Sequence, residues 1–144
     1  MINFILYLWQ LPQHLFALIF RLIQRNNIVE VSRKKLTPPY DTVDTIIYKL
    51  KNFNSGISLG KYIFISIRYT NNHFILLHEK GHSIQSKYFG WLYLIIIGIP
   101  SAIHKVWFSY KSKKNPLDYY DFWTEKWSNS LMKIKKEDLE QKKV

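Results

Sequence analysis

The chain has 144 residues, a formal charge of +11 and no cysteine. That length suits one domain with its own core, and the missing thiols exclude disulfides and thiolate metal ligands. The basic residues gather at 21–35, at 105–114 and from 133 onward, each group bordering an apolar stretch. This pattern fits anionic lipid headgroups and contains no base-reading motif, so it argues against a nucleic-acid binder.

The opening segment, 1–23, has 17 apolar residues, interrupted by Gln10, Pro12, Gln13 and His14. Pro12 forbids a straight continuous helix, so two short helices or one bent helix are expected. A basic start and a small-residue cleavage site are missing, which disfavours a signal peptide. Two readings stay open: the segment lies in or on a membrane, or it covers the apolar back of the remaining chain. If it spans, the basic flank places the rest on the cytoplasmic side.

Thr37, Pro38 and Pro39 read as a linker, followed by an amphipathic helix carrying Val43, Ile46, Ile47 and Leu50. Asn54, Ser55 and Gly56 signal a turn, and 57–59 and 61–69 alternate as two strands around Gly60, which predicts an antiparallel hairpin. The next helix has cap candidates at Thr70, Asn71 and Asn72 and a stop at Gly90. It contains His78-Glu79-Lys80-Gly81-His82, an H-E-x-x-H pattern. One turn separates the histidines, so both imidazoles project from one face and can share a Zn²⁺ ion. Glu79, rotated about 100° around the axis, stands beside such an ion, where a carboxylate can take a proton from water.

The apolar run 91–103 is too short to cross a bilayer and holds Gly98 and Pro100, so a buried helix or a re-entrant hairpin is predicted. Asn115 and Pro116 mark a helix start, and the helix should run to about Lys133. A catalytic zinc needs a third protein ligand, and Glu125, an acid among the aromatic residues 119–127, is the candidate. Asp121 and Asn129, one turn before and after it, could each orient a histidine. The competing role for Glu125 is a solvated carboxylate paired with Lys126 or Lys133. Residues 134–144 form a charged tail.

H-E-x-x-H on one helix and Glu125 on a later one, with Asn129 four residues on, resembles the gluzincin zinc metallopeptidases. The run 78–86, Gly90-Trp91, Tyr93-Leu94, 98–101 and 123–127 is also similar to small bacterial proteins with a minimal metallopeptidase-like core, over about residues 56–132. The resemblance implies that His78, His82 and Glu125 bind Zn²⁺, that Glu79 is the general base, and that Asn129 orients a ligand histidine. It also implies peptide binding by strand addition at 62–67, which includes Tyr62, Ile63, Phe64 and Ile65. The family usually has Asp where this chain has Asn129, and the interval from His82 to Glu125 is long. Tyr119, Tyr120 and His104 are the available transition-state stabilisers.

The expected fold class is therefore α+β, mostly helical, with a compact zincin-like core and a short antiparallel hairpin before the H-E-x-x-H helix. The expected organisation is a membrane-associated apolar segment at 1–36, a metallopeptidase-like core at 37–133 and a tail at 134–144. The expected activity is zinc-dependent hydrolysis of a peptide or protein substrate at a membrane, with lipids as partners and no nucleic acid. The alternatives are a non-catalytic membrane-associated interaction protein and an inactive metallopeptidase homologue.

Overall fold

A computed structural model describes residues 2–34, 44–69, 72–111, 116–135 and 137–138. The linker at Thr37, Pro38 and Pro39, Val43, the cap candidates Thr70, Asn71 and Asn115, and the tail beyond 138 lie outside the described residues. The architecture is α+β. Helices α1 (Ile2–Trp9) and α2 (Leu11–Ile23) lead into strands β1 (Ile28–Lys34), β2 (Thr45–Leu50), β3 (Gly56–Leu59) and β4 (Tyr62–Ser66). Helices α3 (His73–Phe89), α4 (Ile99–Tyr110) and α5 (Trp123–Leu131) follow.

The strands form one mixed sheet in the order β1-β2-β4-β3, with β2 parallel to β4 and the other pairs antiparallel. The predicted hairpin is β3–β4, turned at Gly60, whose φ of +64° suits a residue without Cβ. Two expectations fail here. The segment 45–50 is a strand, not an amphipathic helix. Thr45, Ile46 and Ile47 are β-branched, and both flanking strands satisfy the backbone. The expected substrate strand at Tyr62, Ile63, Phe64 and Ile65 is interior, hydrogen-bonded by β2 on one side and β3 on the other. It therefore has no free ladder to offer a peptide. Among the described residues the sheet edge nearest α3 is that of β3, which Tyr93 meets at the Ser58 carbonyl and which is partly accessible at Gly56 and Ile57.

Period-two alternation sends the side chains to two cores. On one face Tyr48, Leu50, Leu59 and Phe64 pack with Ala17 and Phe20 of α2. On the other, Ile47, Ile63 and Ile65 meet Ile75 and Leu76 of α3. Phe64, Leu50 and Ile63 are fully buried, each burial being worth about 1.5–3 kcal/mol. A sheet covered on both faces presents near-continuous apolar runs in its sequence, and that is why β2 mimics a helical pattern.

The opening segment breaks into two helices at Gln10, with Pro12 in the first turn of α2, as the sequence suggests. Gln13, His14 and Ala17 face inward, whereas Phe16, Ile19 and Ile23 face out. α2 and β1 thus belong to the same core as the rest of the sheet. No helix among the described residues is long and apolar enough to cross a membrane. The run 91–103 is no hairpin, and it is buried on one side only, at Tyr93 and Ile97. A 3-10 turn (Gly90–Leu92) and a π-helical turn (Leu94–Gly98) continue into α4, because Pro100 falls in the first turn of α4, where its missing N–H costs nothing. The segment before α5 is likewise not one helix: a 3-10 stretch (Pro116–Asp121) ends at Phe122, which is extended at φ −64°, ψ 139°.

Candidate metal centre

α3 begins where Asn72 accepts a hydrogen bond from the Ile75 N–H at 3.2 Å and ends at Gly90, φ +51°. Every residue from Leu77 to Ser83 is buried. The helix is therefore enclosed by the sheet on one side and α5 on another, and Gly81 is what lets α5 approach. A Cβ there would lie 2.4 Å from the Ser128 carbonyl oxygen and 2.2 Å from Ser128 Oγ. Ser128 Oγ closes the contact by donating to the His78 carbonyl at 2.6 Å.

That approach delivers Glu125, only 1% exposed, to the two histidines. His78 Nε2 lies 3.0 Å and His82 Nε2 3.3 Å from the same oxygen, Glu125 Oε2. The three ligand atoms fall within 4.8 Å of one another. Bonds of 2.0–2.1 Å to a tetrahedral ion require ligand-to-ligand edges of about 3.3 Å, and the two His–Glu separations match.

The opposite ring nitrogens are also committed. His78 Nδ1 is 2.7 Å from Asn129 Oδ1, and His82 Nδ1 is 2.7 Å from Gln85 Oε1. Gln85 donates its Nε2 to the Thr124 carbonyl at 3.0 Å, so its oxygen must accept from His82. Both Nδ1 atoms are then donors, and in the neutral rings both Nε2 lone pairs point to the shared centre. Gln85 was missed as an orienting residue. Its position one turn below His82, on the face shared with Phe74 and Leu77, was the available signal. Asp121, the other orienting candidate, is exposed at the end of the 3-10 stretch and off the face of α5, which starts two residues later.

Glu125 Oε1 accepts from Ser101 of α4 and from Thr124 Oγ1 at 3.0 Å. Burial alone would raise the Glu125 carboxyl, but hydrogen bonds from His78 and His82 outweigh it and hold the group well below the usual carboxylate range. Burial likewise disfavours charge on His82, yet Glu125 overrides it and raises the imidazole. The solvated pairing of Glu125 with Lys126 or Lys133 does not occur.

Glu79 is buried, 6% exposed, and its carboxylate fills the space beside Gly56 of β3, where a Cβ would lie 2.1 Å from Oε1. Burial is the main cause of its raised carboxyl pKa, with the charges of His78 and His82 opposing the rise. Tyr120 sets its ring edge-on to His78 at 5.2 Å, and burial pushes its hydroxyl up to about 12. Tyr119 is raised further by burial and by Glu125, and so is Tyr93, whose hydroxyl donates to the Ser58 carbonyl at 3.4 Å. All three phenols remain protonated donors at neutral pH. His104 is held in packing: its Nε2 donates to the Tyr119 carbonyl at 3.0 Å and its ring stacks on Tyr119 at 5.1 Å and on Phe122 at 4.2 Å, a different role from the transition-state stabiliser it was a candidate for.

Comparison with protein-family models, with curated proteins and with solved structures gives no match.

Proposed function

We propose that the chain is a zinc-dependent metallopeptidase of gluzincin-like design, hydrolysing peptide bonds at a membrane. The observation that carries this reading is the convergence of His78 Nε2, His82 Nε2 and Glu125 Oε2, with each histidine oriented by an amide oxygen behind it. Two imidazoles and one carboxylate are a donor set suited to Zn²⁺ and short of the four donors of a closed structural site. The bound ion would supply Lewis acidity toward a scissile carbonyl and toward water.

The residues of the chain do the rest. His78, His82 and Glu125 hold the ion. Glu79, next to His78 and in a buried setting that raises its proton affinity, takes the proton from the attacking water and returns it to the leaving amine. Tyr120, protonated, half-buried and edge-on to His78, stands as a donor for developing negative charge. The Gly56 end of the β3 edge, beside Glu79, takes over from β4 as the place where an extended substrate adds as a strand.

A second reading is favoured by the raised imidazole of His82. A protonated His82 paired with a Glu125 carboxylate would make the cluster a buried ion pair inside a non-catalytic membrane-associated protein. Metal analysis of the purified protein separates the two. The enzyme reading expects about one zinc per chain, weakened retention in Glu125→Gln, and full retention with lost peptide hydrolysis in Glu79→Gln. A wild-type chain that binds no zinc ends it, and one that holds zinc without hydrolysing any peptide is an inactive homologue.

A further inference from the structure

The outer side of α4 is an unusual surface. Ile95, Ile99, Ile103, Val106, Trp107 and Tyr110 recur at helical spacing and are between 45% and 86% exposed, whereas Ile97 and His104 face inward. Such a stripe is too long and too apolar for an ordinary solvated helix. It continues into the opening helices: Trp91 Nε1 donates to the Leu8 carbonyl at 2.7 Å, and Trp9 Nε1 donates to the Lys87 carbonyl at 2.8 Å. Trp9, Leu15, Phe16, Ile19 and Ile23 of α1 and α2 are likewise 45% or more exposed.

Charge identifies what covers it. Residues 1–29 and 80–117 contain no Asp or Glu. The cations on and just beyond these elements, Arg21, Arg25, Lys105 and Lys111, are exposed; Lys111 sits over the Trp107 ring of the stripe at 4.1 Å, and Arg21 lies over the Tyr48 ring at 5.7 Å. A second copy of the same face would set cation against cation. An anionic bilayer offers the opposite charge, an apolar bed for the isoleucines, and a headgroup layer that suits the indoles of Trp9, Trp91 and Trp107.

We infer that α1, α2 and α4 together form an in-plane docking face for an anionic lipid surface. The inner side of the same α4 donates Ser101 Oγ to Glu125, so the cluster of His78, His82 and Glu125 lies about one helix diameter, roughly 10 Å, behind the lipid. Resting on the hydrolytic reading, this sets the substrate class: peptide segments held close to a bilayer surface.

The test is flotation of the wild-type protein with phosphatidylcholine vesicles, with and without about one third phosphatidylglycerol. Binding is expected on the anionic vesicles, weakening as salt rises. Ile99→Glu with Ile103→Glu, both on the exposed stripe, should weaken it about a hundredfold or more. Lys105→Gln with Lys111→Gln should weaken it about thirtyfold on the anionic vesicles. Wild-type protein that stays unbound, variants that bind like the wild type, or a dimer dissolved by the isoleucine changes would each overturn the docking face. Flotation needs no zinc, so a chain that floats but binds no metal refutes the hydrolase and leaves this face standing. For the substrate class, a peptide tethered to the vesicles by an acyl chain should be cut faster than the same peptide free in solution, and equal rates overturn it.

Discussion

Replacing Gly81 by Ala adds one methyl group at the point where α3 and α5 touch. That methyl would lie 2.4 Å from the Ser128 carbonyl oxygen, a backbone atom that no rotamer change moves. Reaching an ordinary contact requires the helices to separate by about 1 Å, whereas metal–ligand distances tolerate only about 0.2 Å. Glu125 and Asn129 flank Ser128 on α5, so both withdraw from the histidines together. Overpacking of this kind costs about 1–3 kcal/mol, offset by about 1 kcal/mol of helix propensity gained over glycine. The folded protein should therefore survive with a modest loss of stability, while zinc affinity falls by about a hundredfold or more, as expected when a ligand and its orienting residue are both displaced. Chelator competition measures the affinity and thermal unfolding the stability. Wild-type zinc affinity in Gly81→Ala would refute the argument that close helix approach sets the site.

Gln85→Leu removes the oxygen that orients His82 and should weaken zinc by about ten- to a hundredfold, read by the same competition. Gly56→Ala places a Cβ on Glu79; peptidase activity should be lost with zinc content unchanged in metal analysis. His14 has its imidazole pKa lowered to about 4, first by burial and then by the charge of Lys61. Because the fold favours its neutral form, the stability involved is complete above about pH 6.5 and is lost as pH falls toward 4, up to about 3 kcal/mol. Denaturant unfolding of the wild type should show that loss, and His14→Phe, which keeps a ring against Tyr7 and Tyr62, should show less of it.

Local rules carry α3 and the β3–β4 hairpin. A cap at Asn72, a stop at Gly90 and a turn at Gly60 each act within a few residues, and such signals survive whatever packs around them. The pairing of His78 with His82 is legible for the same reason, since helical pitch alone brings them together. Glu125 is marked only by its chemistry, an acid among rings, because what carries it to the histidines is the methyl-free surface of Gly81 on another element. Ile46, Ile47 and Leu50 mislead because a strand buried on both faces loses its alternation. β4 misleads because its position inside the sheet depends on β2, which arrives from before the hairpin. In 91–103, hydrophobicity reads as burial, although one side of that helix is covered and the other is not.

Gly90 makes room for the Trp9 indole, which a Cβ would strike at 2.1 Å, and Gln13 donates to the Gly90 carbonyl. The hydrogen-bond partners of Gln13 and of the Leu8 carbonyl are thus some eighty residues downstream, whereas the sheet partners of Ala17 and Phe20 come earlier. During synthesis the sheet can cover the inner side of α2 early, but Trp9 must wait, greasy and unshielded, until the ribosome has delivered the end of α3. A nascent chain in that condition either stays with a chaperone or settles early on whatever apolar phase is nearest.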